Sequence, residues 1–332
     1  MERFIAIDNV CAWPNLTKLP DGAIVATIFN QPCHGLWEGD VECWASEDGG
    51  RTWALRGAPA PHEPGTNRMN VAAGLNAAGA LVVVASGWSH RPRRGEGTAS
   101  HEPPAHPLAP WVCRSPDGGR TWVRDGVVEP PEGESDELIP FGDIVALRDG
   151  GLGACIYSRG PTAGHACAFY TSGDDGRTWR VRGVIRNDNL NETAPLVLPD
   201  GDVLACGRSR EPQHLVLFRS PDGGATWQRE ADLSVAQQHP GHLMSLADGR
   251  ILLTHGDRRD GHHGIVVRLS ENGGRDWSAP HRLVAIDPGD LGYPATASGE
   301  DGSLVTAWYS AGVGAHQRYH MGVVIWTVGE VF

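Results

Sequence analysis

The hydrophobic positions of this chain fall into short runs separated by polar turns. Residues 24–29, 80–85, 203–206 and 251–254 are typical, and each run has the length of a strand. None approaches the ~20 apolar residues of a membrane-crossing helix. Two repeated turns organise the runs. The first is an apolar stretch closed by Asp-Gly, at residues 16–22, 144–150, 196–201 and 243–249, with a looser copy at 295–302. Asp-Gly between two β-rich runs predicts a hairpin with a type I′-like turn. The second is an eight-residue box, S-x-D-x-G-x-T-W, starting at Ser46, Ser115, Ser172 and Ser220. A degenerate copy starts at Ser270, with Asn272 and Asp276 in place of the Asp and Thr. In such a box the Asp side chain accepts loop N–H groups, the Gly takes a positive φ, and the Trp anchors the next strand.

Strand, Asp-Gly turn, strand, loop, strand, box turn and strand make one four-stranded sheet. Sheets recurring about every 50 residues predict propeller blades. The sequence holds six such units. The first five carry boxes, and the sixth has strands at 293–298, 304–309 and 320–328 and then stops. Residues 3–10 supply its fourth strand. The predicted fold is therefore an all-β, six-bladed propeller with Asp-box turns, its ring closed by the N-terminal strand, and residues 1–332 form one domain.

Composition narrows the function classes. Gly (44) and Pro (24) interrupt the chain too often for a helical bundle, while 40% hydrophobic residues are enough for a core. The net charge of −12 argues against nucleic acid, whose phosphates need a basic face. Lys18 is the one lysine, and the other basic residues are arginines, planar groups suited to carboxylates. The seven cysteines are scattered, with no CxxC pair and so no zinc cluster, and no cofactor is expected. The N-terminus lacks a basic region followed by an apolar one, so no signal peptide is expected and the setting reads as cytoplasmic. P-loop, GxSxG and HExxH motifs are absent.

Asp-boxes on a six-bladed propeller resemble the sialidase (neuraminidase) superfamily, and the resemblance spans the whole chain. It implies a central cleft with an arginine triad for a substrate carboxylate, a Tyr nucleophile activated by a Glu, and an Asp acid/base. The Glu opens the inner strand of the fourth blade, where Glu192 lies, and Arg208 follows on the next strand with Arg210 close by. The Tyr opens the last blade, at Tyr293. The third arginine falls at Arg258 or Arg259. The chain departs from the family at the first blade, where Ala12-Trp13-Pro14 stands in place of Arg-Ile-Pro. It departs again in the loop expected to hold the acid/base, which offers His34 near its middle and Asp40 near its end. Loss of one arginine puts sialic acid itself in doubt, and a uronic acid fits equally well.

Other polar segments enter the remaining blades. Arg68 and Asn70 can bind a sugar hydroxyl or carboxylate. Asp136 and Glu137 are paired carboxylates of the kind that flank a glycosidic bond. His239 and His242, three apart on a strand, point to opposite faces and make a poor metal pair. The insertion at 89–110, with Arg91, Arg93, Arg94, His90, His101 and His106, reads as a lid or specificity loop.

These features predict an exo-acting glycoside hydrolase whose partner is a carbohydrate, with a terminal, acidic sugar as substrate. Arg208 with Arg258 or Arg259 orients the carboxylate, His34 or Asp40 protonates the leaving oxygen, and Glu192 with Tyr293 stabilises or attacks the oxocarbenium-like centre. Two alternatives remain. One is a polysaccharide lyase using His34 and Tyr293 as base and acid on a uronate. The other is a non-catalytic glycan-binding propeller, in which Glu192, Arg208 and Tyr293 lie more than about 10 Å apart, beyond one-water reach.

Overall fold

The computed structural model describes residues 1–97, 105–159, 165–299, 301–314 and 316–332. Twenty-four strands and one 3-10 turn, Val328–Glu330, make up the regular structure. After β1 (Glu2–Asp8) come β2–β5 over Ala12–Lys18, Ile24–Phe29, Val41–Ser46 and Ala54–Ala60. Strands β6–β9 cover Asn70–Leu75, Leu81–Ser86, Trp111–Ser115 and Val123–Val128, and β10–β13 cover Leu138–Ala146, Leu152–Arg159, His165–Ser172 and Thr178–Arg186. Strands β14–β17 span Leu190–Val197, Val203–Ser209, Leu215–Ser220 and Gln228–Asp232. Strands β18–β21 span Gly241–Ser245, Ile251–Asp257, Gly264–Ser270 and His281–Ala285, and β22–β24 span Leu291–Ser298, Leu304–Ser310 and His320–Trp326.

Successive strands pair antiparallel in sets of four, and the arrangement is propeller-like. The first strands of the sets, β2, β6, β10, β14, β18 and β22, pack in succession, and β22 returns to β2. Strand β1 pairs with β24, Glu2 opposite Ile325 and Asp8 opposite His320, and so completes the β22–β24 sheet. Four sets are separate sheets, whereas β6–β9 and β10–β13 join into one closed eight-stranded array. This differs from six independent sheets, and glycine is the reason. Short parallel bridges link Gly142 and Asp143 to Ala72 and Ala73, and Thr178 and Trp179 to Val127 and Val128. A Cβ on Gly74 would lie 2.2 Å from the Ile144 carbonyl oxygen, and one on Gly126 would lie 2.4 Å from that of Arg177. Only bare backbone allows the approach that the bridges need.

The Asp-Gly hairpins also differ from expectation. Gly22 N–H donates to Leu19 O, and Gly22 alone takes a positive φ, 93°, while Asp21 does not. Pro20 fixes a negative φ at the first central position, so the turn is type I followed by a bulge glycine rather than type I′. Asp21, Asp149, Asp200 and Asp248 each accept the N–H two residues on, which locks the turn.

The boxes fold as local hydrogen-bond cages. Asp222 accepts from the Ser220 hydroxyl and from the N–H groups of Ala225 and Thr226, and its second oxygen accepts from the Thr226 hydroxyl. Those bonds, Thr226 foremost, hold its carboxyl down at about 2. Trp227 donates its indole N–H to Gly224 O. The second box glycine faces the preceding set: a Cβ on Gly50, Gly119, Gly176, Gly224 or Gly274 would strike Val305, Cys43, Val82, Phe169 or Leu204. Each box thus packs its turn onto the neighbouring sheet.

Candidate active site

The inner strands are bulged where they meet the axis. Register shifts fall between Ala12 and Asn15 in β2, Phe141 and Val145 in β10, Leu190 and Thr193 in β14, and Gly292 and Ala295 in β22. A bulge inserts one residue and turns its side chain off the ladder. Trp13 (φ 44°) and Tyr293 (φ 50°) occupy the left-handed region, a conformation costing on the order of 1–3 kcal/mol in a non-glycine residue and concentrated at functional sites.

A cavity of about 250 Å³ opens between these strands. Trp13, Trp88, Phe141, Tyr157 and Tyr293 form its aromatic walls, and His34, Asn70 and Glu192 are its polar groups. Trp13 is the hub, with ring centroids 4.7 Å from His34, 5.9 Å from Tyr293 and 5.8 Å from Tyr309. Below it, Asn15 of β2 and His242 of β18, alternate inner strands of the ring, both bond the Asp143 carboxylate of β10, at 3.1 and 3.0 Å.

At one side Tyr293 donates its hydroxyl to Glu192 Oε1, and Arg208 donates to Glu192 Oε2 at 2.8 Å and to Gln213 at 3.1 Å. Burial alone would raise the Glu192 pKa. The Arg208 charge, the Tyr293 and Arg208 hydrogen bonds and the Arg258 charge outweigh it and hold the carboxyl below its ordinary value. Tyr293 moves the other way, pushed well up by burial and by the Glu192 charge. The resting state is thus carboxylate and phenol. Arg258 lies over the Tyr293 ring at 5.7 Å and donates to the His239 carbonyl oxygen. Burial and the two arginine charges push His239 down to about 2, so it is neutral.

At the other side His34 Nδ1 lies 2.6 Å from Asp290 Oδ2, and Tyr309 and Tyr319 donate their hydroxyls to the same carboxylate at 2.5 and 2.8 Å. Asp290 is held at about 2: burial works against this, but the His34 bond and charge and the two tyrosines prevail. An ionised carboxylate only accepts, so Nδ1 carries the hydrogen and Nε2 is the ring atom that changes protonation state. Among the described residues, Cys11, His34 and Asp290 bring one donor atom each within 4.8 Å of one another, a group able to hold a metal ion. Burial pushes the Cys11 thiol well up, which favours its protonated, non-ligating form.

His34, Asn70, Glu192 and Tyr293 therefore meet at one cavity, with Arg208 and Arg258 directly behind it. Asp40 lies apart, held by the His62 N–H at 2.7 Å and the His62 ring at 2.6 Å. Arg68 is buried with its guanidinium 3.8 Å from the Trp111 ring centroid and bonded to Ala109 O. Arg210 is exposed, and Arg259 is paired with Asp257 at 2.7 Å. Asp136 is exposed, and Glu137 faces His106 at 3.6 Å. His101 and the middle of the 89–110 insertion lie outside the described residues. Sequence reasoning missed Asp290 and the aromatic wall. Asp290 stands only three residues before Tyr293, which was the available signal.

Residues 39–306 match the BNR repeat-like domain, and the chain belongs to that family. No curated protein matches it in sequence. Among solved structures it is similar to a protein of unknown function from Dyadobacter fermentans, at TM-score 0.78 and 22% identity, covering 98% of this chain and 97% of that one. It is similar to NanB sialidase from Streptococcus pneumoniae, at 0.76 and 14%, over 99% and 70%. It also resembles Trypanosoma rangeli sialidase, at 0.70 and 15%, over 98% and 55%. The chain thus spans 55–70% of the length of these two sialidases. Among the described residues, no helix is long and apolar enough to cross a membrane.

Proposed function

We propose that this protein is an exo-acting glycoside hydrolase that removes one terminal sugar, using Tyr293 as nucleophile, Glu192 as its base and His34 as acid/base. The observation that carries the reading is the Tyr293–Glu192 hydrogen bond inside a cavity that His34 also lines. As the phenolic oxygen bonds to the anomeric carbon, the phenol loses electron density and its proton passes to Glu192. The His34 imidazolium gives its Nε2 proton to the departing oxygen, and the glycosidic bond breaks. Imidazole then takes a proton from water, whose oxygen displaces the tyrosine, and Glu192 returns the first proton. Asp290 positions the ring. Arg208 keeps Glu192 ionised at rest.

In this reading the eight-stranded array works as two blades, so six blades and one domain account for residues 1–332. All seven cysteines are free and buried, which suits a reducing compartment. Against a purely binding propeller stands the direct contact of Glu192 with both Arg208 and Tyr293. The test is turnover of aryl glycosides: Glu192→Gln and Tyr293→Phe should each lower kcat roughly 10²–10⁴-fold in variants shown to be folded by their melting curves. Undiminished turnover in both variants would refute the assignment.

A further inference from the structure

We infer that the cavity takes an uncharged, hydroxyl-bearing sugar ring rather than a sugar acid, an inference that rests on the glycosidase reading above. The charge inventory of the site is the first argument. Among the described residues lining the cavity, Glu192 is the one carboxylate, His34 is the one group able to carry positive charge, and no arginine or lysine lines it. A carboxylate entering beside it would lose its hydration next to a like charge.

Each of three nearby arginines already donates to a protein group, although Nε of Arg208 and of Arg68 makes no hydrogen bond. Arg208 donates to Glu192 and Gln213, Arg258 to the His239 carbonyl, and Arg68 to the Ala109 carbonyl beneath Trp111. For Arg208 to grip a substrate carboxylate it would have to leave Glu192, stranding a buried carboxylate. Where the resemblance expects the first arginine, the chain places Trp13, an indole held in the cavity by its bulge and left-handed backbone. An indole face matches the C–H face of a sugar ring and, unlike an arginine, brings no positive charge to a carboxylate.

Two unpartnered atoms complete the argument. The Trp13 indole nitrogen, a donor, and Asn70 Oδ1, an acceptor, are buried at the cavity without a hydrogen-bond partner. A hydroxyl both donates and accepts, so neighbouring sugar hydroxyls satisfy both. The volume of about 250 Å³ suits a single ring.

The test sets aryl glycosides of neutral hexoses, deoxyhexoses and pentoses against aryl glycosides of neuraminic acid and glucuronic acid. At least one neutral glycoside should be cleaved with kcat/KM 100-fold or more above any acidic one. Trp13→Ala should raise KM about tenfold or more with a smaller change in kcat, and Trp13→Phe should restore most of it, each variant checked by its melting temperature. Acidic glycosides cleaved as well as neutral ones would overturn the inference and leave the hydrolase reading intact. If nothing is cleaved, calorimetric titration of the full chain with the corresponding methyl glycosides decides. Binding of neutral sugars alone, lost in Trp13→Ala, upholds the inference while the hydrolase reading fails, and no neutral binding overturns it.

Discussion

At the scale of single residues, the cavity works by keeping two protons in place. Glu192 is held low and Tyr293 high, so the proton between them rests on the phenol until bond formation releases it. The acid limb of the kcat/KM profile should therefore lie below the ordinary carboxylate range, since Glu192 ionises there. His34→Ala should lower kcat at least 100-fold, with partial rescue by added imidazole. Asp290 tests the positioning role. Its folded pKa of about 2 lies below the unfolded carboxyl's, so its stabilisation is complete above pH ~4 and is lost as pH falls toward 2. That contribution is on the order of 2 kcal/mol. Asp290→Asn should remove this part of the acid denaturation curve and lower kcat with little change in KM, whereas a merely structural residue would leave kcat where it was. Glu192 and Tyr293 were readable in the sequence because each opens an inner strand whose place the repeat fixes. Asp290 was not, because its meaning comes from His34, Tyr309 and Tyr319, all three of which reach it from other strands or loops. Nothing in the local sequence singled out Trp88, Phe141 and Tyr157, for the same reason.

At the scale of elements, the boxes were legible because everything that shapes them lies within eight residues. The hairpins were legible in place but not in type, although Pro20 beside Asp21 already forbade a positive φ at the first turn position. Invisible to local reading was the second box glycine's contact with the preceding sheet, since Val305 and Gly50 are remote in sequence. The boxes also grade in strength. Asp222 accepts four hydrogen bonds, whereas Asn272 accepts the Asp276 N–H at 2.9 Å and a longer Ser270 bond at 3.2 Å. Urea unfolding should therefore find Asp222→Ala costing roughly 1–2 kcal/mol and Asn272→Ala about half that or less. A stronger alanine substitution in the fifth box would contradict the hydrogen-bond account. Gly224→Ala should cost more than either, because its Cβ would lie 2.1 Å from the Phe169 ring.

At the scale of the molecule, ring closure was foreseen from arithmetic, a sixth unit short of one strand and a spare strand at the other end. The eight-stranded array was not, because it depends on bare backbone at Gly74 and Gly126 meeting remote carbonyls. Deleting residues 1–8 should lower the melting temperature by roughly 5 °C or more, since Ile7 is buried, and should expose the β24 edge to self-association measurable by size-exclusion chromatography. The pattern of box contacts carries a further consequence. Five junctions between neighbouring sets have a box turn packed across them, and the junction between β18–β21 and the β22–β24 sheet has none. There the filling is apolar side chain, Leu252, Ile265 and Leu283 of one set packed with Trp308 and Trp326 of the other, and Arg3 donates to Ala285 O at 2.7 Å beside them. Such a junction is held by side-chain packing alone, and amide exchange should be slowest along the main-chain-bridged β6 and β10 and faster along β21, which meets the last sheet only through side chains.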